Sequence, residues 1–289
     1  MKDNNQYFVN NFLKFLDQGS TLVNVGVFDA ASAAVAAKFP ETKGLFISGL
    51  GYTYSQYAWP DVGLINANEI INAAKIIRSN HPNLFLTCDI DSGFGGKEQL
   101  RRTCTELKNL GVSAIQFEDQ TLDDKVCGHL ANKKIRPLEE SIERLTIALE
   151  SSYPVQVIAR TDSSLKNEEA FKRLDAFIKV GAKIVLVDGI DESELQDVIK
   201  FVNKRAHIMV NIVEGGKIKQ HSVDYFQKLG VSIVNLSVPL LFTAMHSMNE
   251  KMKSMIRNNW AENAENKMAL YSINEIMTQN YNNFLGNKK

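Results

Sequence analysis

The sequence predicts an α/β chain that closes into a (β/α)8 barrel of the TIM type with additional C-terminal helices, and three observations carry that prediction. Eight short runs rich in Val, Ile and Leu recur along the 289 residues, each of a length that suits a strand buried on both faces. Helix-like stretches separate them, giving the strand and helix alternation of a parallel sheet. Three of the units share one punctuation, a helix-like stretch ending in glycine before a β-rich run: NLGVSAIQFED around Gly111, KVGAKIVLVD around Gly181 and KLGVSIVNLS around Gly230. Glycine supplies the left-handed cap that stops a helix.

Taken in order, the expected strands are Val23 to Val27, Gly44 to Ser48, Leu84 to Asp89, Ser113 to Glu118, Val155 to Arg160, Lys183 to Asp188, His207 to Asn211 and Val231 to Leu236. The expected helices are Ala30 to Phe39, Ala67 to Asn80, Lys97 to Leu110, Leu138 to Ser151, Glu168 to Val180, Glu192 to Asn203 and Val223 to Leu229. Pro239 to about Lys253 reads as a further helix, and Trp260 to about Leu285 adds helical material beyond what a barrel needs. That tail either folds back on its own barrel or covers a neighbouring subunit. With 44% hydrophobic content, 1–289 fits one barrel domain carrying a helical extension over about 254–289. The longest irregular connections are expected at Leu50 to Asn66 and Asp119 to Pro137, and long loops on a compact scaffold are commonly functional.

Composition narrows the function. Thirty-three basic and 33 acidic residues leave a formal net charge of zero, so no electrostatic footprint for nucleic acid or an anionic membrane is present. No segment approaches the roughly 18 apolar residues of a spanning helix, and the first 20 residues lack the apolar core of a signal peptide. A cytoplasmic enzyme with a small-molecule substrate is the expectation. Cys88, Cys104 and Cys127 have neither the number nor the spacing of a disulfide framework.

Acidic and reactive residues fall just after the apolar runs, where a parallel barrel gathers its strand ends on one face. Asp89 and Asp91 end the third strand and Glu118 the fourth; hard oxygen ligands of this kind suit a magnesium ion that keeps several waters. An isolated DxD more often caps a helix or stays solvated, and Glu118 strengthens the metal reading. Cys127 stands in KVCGH, where Lys125 and His129 lower a thiol pKa and Gly128 frees the backbone. A lysine Schiff base is disfavoured, because no lysine ends a strand; Lys183 begins one.

The pieces SGLG at 48–51, WPDVG at 59–63, CDIDSGFGG at 88–96, FEDQ at 117–120, KVCGH at 125–129, ARTD at 159–162 and NIVE at 211–214 resemble, in order and spacing, the isocitrate lyase and phosphoenolpyruvate mutase superfamily, in particular its short 2-methylisocitrate lyase-like members. The resemblance implies a modified barrel requiring Mg²⁺ or Mn²⁺, a cysteine-bearing loop that closes over a carboxylic-acid substrate, and a dimer of dimers that exchanges its eighth helix. It places Ser48, Gly49 and Gly128 at the substrate and Asp61, Asp89, Asp91 and Glu118 around the metal. It gives Arg160 to the developing negative oxygen and Cys127 to proton donation, with His129 and Lys125 tuning the thiol. Asn211 and Glu214 would contact the distal substrate or the loop.

The CGH motif belongs to the carbon–carbon lyases of that superfamily, so a metal-dependent lyase or decarboxylase of a small 2-hydroxy or 2-oxo acid, working through an enolate, is expected. A phosphonomutase or phosphonopyruvate hydrolase is the alternative, and a barrel that only binds is the third reading. Val126 replaces a basic residue, Thr243 an arginine, and the glutamate expected after the sixth strand is absent at Asp188-Gly189 unless Asp188 substitutes. These departures imply a substrate with less charge than methylisocitrate, and the aromatic stretch GYTYSQYAWP is expected to shape its pocket.

Overall fold

The computed structural model describes residues 7–128, 132–219, 221–261 and 268–286. Eight parallel strands close in sequence order: β1 (Leu22–Val27), β2 (Gly44–Ile47), β3 (Phe85–Asp89), β4 (Ala114–Glu118), β5 (Gln156–Thr161), β6 (Ile184–Val187), β7 (His207–Ile212) and β8 (Ile233–Leu236). Pairing of β8 with β1, from Leu22 opposite Ile233 to Val25 opposite Leu236, completes the ring. The chain is therefore a TIM-type barrel.

Successive strand residues alternate between the barrel interior and the helical layer, which sorts the interior by height. Leu22, Phe85, Ala114, Ile158, Met209 and Ile233 form an apolar lower layer. Above it Asn24 donates to Thr87 at 3.3 Å and Asn235 to Asn211 at 3.0 Å. The top layer is charged, with Asp89, Glu118 and Arg160 all buried.

The bottom is closed by α1 (Phe12–Asp17), a helix that the sequence reading did not place. Its Phe12 is fully buried, and Phe8, Phe12 and Phe15 surround Phe85 with ring centroids 5.1 to 5.3 Å away. The phenylalanines at 8, 12 and 15 recur at helical spacing, so the signal was present as one short apolar stripe.

The outer layer follows the expected order: α2 (Ala30–Ala37), then α3 (Gly49–Tyr57), α4 (Ala67–Asn80), α5 (Lys97–Leu110), α6 (Leu138–Ser152), α7 (Glu169–Lys179), α8 (Glu192–Val202) and α9 (Val223–Leu229). Helix α3 corrects the expectation of an irregular stretch from Leu50 to Asn66. Its residues GLGYTYSQY are poor helix formers, but Ser48 caps it by accepting the Gly51 N–H at 3.1 Å, and Gly49, Gly51 and Thr53 are buried along it.

Beyond the barrel, α10 (Pro239–Arg257) runs past the expected start of the extension, and α11 (Leu270–Leu285) supplies the expected tail helix; of the stretch expected from Trp260, 262–267 lie outside the described residues. Helix α11 folds back on α2 and α4 of its own chain and buries Ile276. Helix α10 buries only Leu241 and leaves Met245, Met248, Met252 and Ile256 exposed. Among the described residues no helix is long and apolar enough to cross a membrane.

Candidate active site

The charged layer is assembled by strand ends. Asp89 is the last residue of β3, and the turn after it puts Asp91 in the left-handed region at φ 48°, its N–H donating to Asp89 Oδ1 at 3.3 Å. Glu118 ends β4 directly opposite Arg160 of β5. Asp188 follows β6 and accepts Arg160 Nη2 at 2.9 Å. A Cβ built on Gly49 would lie 3.4 Å from Asp89 Oδ2 and 3.5 Å from Asp91 Oδ1, so the first turn of α3 stands against this pair. The N-terminal amides of a helix favour anions there.

Two cations bind this acidic layer together. Lys125 Nζ is 2.5 Å from Asp61 Oδ1 and 2.8 Å from Asp91 Oδ1, with only 4% of its side chain exposed. Burial opposes its charge, but Asp91, Asp61, Glu118 and Asp89 outweigh burial and hold the ammonium well above its ordinary pKa. Arg160 bonds Asp162 through Nε at 2.8 Å and Nη2 at 2.9 Å, and its Nη2 also reaches Glu118 Oε2 at 3.1 Å. Burial again opposes the charge and Asp162, Asp188 and Glu118 outweigh it.

The carboxylates are perturbed the other way. Burial, reinforced by Asp91, pushes Asp89 up to about 7. Burial also raises Asp91, and raises Glu118 well above the usual carboxylate range. Both carboxylate oxygens of Asp91 and of Glu118 are buried without an aligned hydrogen-bond donor. Such atoms are expensive to leave unmatched, and perturbed groups of this kind mark functional sites.

This donor set fits a divalent ion that accepts hard oxygen ligands. Among the described residues no three carboxylate, imidazole or thiol groups are gathered closely enough to hold an ion unaided, because Lys125 stands between Asp61 and Asp91. Magnesium asks for less, since it is held by one or two carboxylates and completes its shell with water and substrate oxygens. The buried carboxylates of Asp91 and Glu118, ion-paired with Lys125 and Arg160 but without aligned donors, and Asp89 beside them meet that requirement.

The described limbs of the connection from Asp119 to Pro137, 119–128 and 132–137, lie over the layer. They pair where Thr121 N–H donates to the Lys134 carbonyl and Arg136 N–H to that of Asp119, each at 2.9 Å. The side chain of Gln120, fully buried, donates to Val126 O at 3.0 Å and accepts from Val126 N at 3.3 Å. Gly128 then descends so far that an added Cβ would be 2.2 Å from both Arg160 Nη2 and Asp188 Oδ2. Cys127 is thereby carried to the charged layer and remains partly exposed, whereas Cys88 and Cys104 are buried. Tyr54 of α3 faces the same place: burial first, then negative charge at Cys127 and Asp61, raises its phenol. Of the expected aromatic wall, Tyr57 and Trp59 stack on each other at the surface instead, 38% and 49% exposed.

The structure thus brings Ser48, Gly49, Asp61, Asp89, Asp91, Glu118, Lys125, Cys127, Gly128 and Arg160 to one end of the barrel. Asn211 joins them by donating to Asp188 Oδ1 at 3.3 Å. Glu214 is exposed in the loop after β7 and makes no hydrogen bond or ion pair among the described residues. His129 lies outside the described residues. Asp188, left open by the sequence, lies in the same layer and pairs with Arg160. Behind the site lies a network that was not anticipated: Asp119 accepts Thr161 Oγ1 at 2.6 Å, the Asp162 N–H at 3.0 Å and Arg173 Nη1 at 3.1 Å. Its signal was FEDQ and ARTD read as two separate motifs.

Comparisons with known proteins agree with this fold. The family described as phosphoenolpyruvate phosphomutase matches residues 12–256. A 2-methylisocitrate lyase of Bacillus subtilis (strain 168) is 30% identical over 255 residues, covering 87% of this chain and 82% of that protein. The crystal structure of a 2,3-dimethylmalate lyase, 27% identical, superposes with a TM-score of 0.85 over 93% of this chain and 91% of the other. That of an oxaloacetate acetylhydrolase bound to 3,3-difluorooxalacetate, 26% identical, superposes with a TM-score of 0.86 over 97% and 98%.

Proposed function

Because the chain belongs to the phosphoenolpyruvate phosphomutase family, a superfamily of lyases and mutases, we propose that it is a metal-dependent enzyme cleaving the carbon–carbon bond of a small 2-hydroxy or 2-oxo dicarboxylic acid through an enolate. One observation carries this reading: the loop delivers a thiol, Cys127, onto the layer formed by Arg160 and the buried carboxylates. A thiol at that place can give a proton to carbon, which a lyase requires and a phosphoryl shift does not.

Asp89, Asp91 and Glu118 would hold Mg²⁺ or Mn²⁺, with Asp61 beside them. When bound, the ion supplies positive charge that lowers the energy of an enolate oxygen. The α3 amides from Gly49 onward would receive the substrate carboxylate. Among the described residues, Arg160 contacts carboxylates from Nε and Nη2, and its guanidinium would also meet the oxygen on which negative charge develops. Cys127 would then protonate the enolate carbon as general acid.

Charge supports a small substrate. Among the described residues of the layer, the six carboxylates of Asp61, Asp89, Asp91, Glu118, Asp162 and Asp188 face the three cations Lys125, Lys133 and Arg160. Val126 and Thr243 add none. A third substrate carboxylate would enter a layer already short of positive charge, which favours dicarboxylates of the malate or oxaloacetate kind. For the assembly we propose a dimer of dimers in which a second copy covers the exposed Met245, Met248 and Met252 of α10.

The test is a proton and phosphorus NMR screen of the purified protein with Mg²⁺, offering methylisocitrate, isocitrate, dimethylmalate, oxaloacetate and phosphonopyruvate, each with an EDTA control. EDTA-sensitive loss of dimethylmalate or oxaloacetate is expected. Conversion of phosphonopyruvate alone would replace this reading with phosphorus chemistry.

A further inference from the structure

Besides Lys125, the loop over the charged layer, the lid, carries a second largely buried lysine. Lys133, on the return limb, places Nζ 2.7 Å from the Gly128 carbonyl, 3.1 Å from Asp162 Oδ1 and 3.3 Å from the Asp188 carbonyl. Its side chain is 15% exposed and that of Asp162 fully buried. We infer that Lys133 is a positioning residue, a clasp that fastens the lid to the ends of β5 and β6 and so fixes Cys127 above Arg160.

A lysine suits this task because its ammonium has three donors on one small centre, and here three oxygens from three separate segments surround it. One belongs to the lid, one to the segment after β5 and one to the segment after β6. Asp162 joins the clasp to the chemistry, since its Oδ1 also accepts Arg160 Nη2 at 2.9 Å. Although burial works against its charge, Arg160 and Lys133 hold that carboxyl below its ordinary pKa. On the other flank, the Gln120 amide holds Val126 by both its donor and its acceptor. Cys127 therefore lies between two residues whose backbone is pinned.

The seat beneath the clasp explains why glycine follows Asp188. Gly189 has φ 74°, and an added Cβ would come within 2.6 Å of the Gly128 carbonyl and 3.0 Å of Lys133 Nζ. Two glycines are the mating surfaces, and any side chain at either would hold the lid away from the layer.

The inference rests on the reading of Cys127 as the working thiol, but its test does not use turnover. Cys88 and Cys104 are buried, so iodoacetamide labelling of the native full-length protein, followed by mass spectrometry, reports on Cys127. Loss of a charge-assisted clasp in Lys133→Met should speed labelling about tenfold, whereas Lys133→Arg, which keeps the charge, should stay within about threefold of the wild type. Gly189→Ala, with Lys133 intact, should also speed labelling and stands in if Lys133→Met does not fold. Labelling of Lys133→Met at the wild-type rate would overturn the clasp, as would equal acceleration in Met and Arg variants. If only Gly189→Ala can be read, an unchanged rate overturns it. Failure of every substrate in the NMR screen would leave the labelling result standing, so the two readings fail separately.

Discussion

At the N-terminal end of the barrel Phe12 packs edge-on against Phe85, with centroids 5.3 Å apart, over an apolar layer containing Leu22, Ile158, Met209 and Ile233. At the C-terminal end the same strands, a few residues further along, deliver Glu118 and Arg160 into a layer that is equally buried. The lower end holds rings that need no partner. The upper end holds carboxylates whose oxygens lack aligned donors. Burial stabilises the first by removing apolar area from water and strains the second by stripping charge of solvent. Two registers of one strand, separated by about 10 Å of rise, thus separate the part that stabilises the fold from the part that is poised to bind.

Changes at the two ends should therefore fail in opposite ways. Cys127→Ser should lower kcat by about 10²- to 10⁴-fold on the acid that the NMR screen identifies, with a thermal midpoint close to wild type. Steady-state kinetics beside a melting curve checks both halves, and a variant with full activity would remove the thiol from the mechanism. Phe12→Ala should do the reverse. Emptying that buried ring's place costs about 3–5 kcal/mol of stability, read by urea unfolding, while kcat at low temperature stays near wild type. A large loss of kcat without loss of stability would show that the two ends are coupled.

The same division governs how much the sequence reveals. Asp89, Glu118 and Arg160 were legible because each closes an apolar run, and a parallel barrel brings such positions together wherever the helices lie. The fold was legible for the same reason of repetition. Helix α3 was not, because Gly, Thr and Tyr argue against a helix locally and only the Ser48 cap and burial of one face override them. Helix α1 was missed as a single short stripe without a partner in sequence. Lys133 was the least legible, since a lysine in a polar loop reads as a solvated charge until Gly128, Asp162 and Asp188 are seen to meet around it. Motifs encode strand ends; clasps and plugs arise from contacts across the chain.

The lower end also holds a buried polar pair, which sharpens the contrast. Arg78 and His81 are buried where α4 turns into β3, and Arg78 Nη1 holds that turn by donating to the carbonyls of His81 at 3.2 Å and Leu84 at 2.8 Å. Burial first and the Arg78 charge second lower His81 from an ordinary 6.5 to about 4. Between those values the unfolded chain binds a proton that the folded chain refuses. Stability from this group is therefore present above pH 6.5 and is lost as pH falls toward 4, by up to about 3 kcal/mol. His81→Gln should flatten the fall in unfolding free energy between pH 7 and pH 4.5, since the site carboxylates act alike in both proteins. Parallel pH profiles for the two would place the acid sensitivity elsewhere.

The smallest effect is the most direct probe of the upper end. Glu118 is buried, neither carboxylate oxygen has an aligned donor, and it is paired with Arg160 Nη2 at 3.1 Å, with the Lys125 charge nearby. Glu118→Gln removes the charge but keeps the shape, and Arg160 retains Asp162 and Asp188. In EDTA the variant should be more stable than wild type by about 1 kcal/mol, with kcat lost. Adding Mg²⁺ should reverse the order, because an ion that binds only the folded wild type stabilises it by mass action. A variant that melts below wild type in EDTA would mean that the Glu118–Arg160 pair outweighs the burial of its charge, and the two ends of the barrel would then differ in chemistry but not in strain. Melting above wild type in EDTA and below it in Mg²⁺ would instead show that the carboxylate is kept at this depth for the ion, against the preference of the fold.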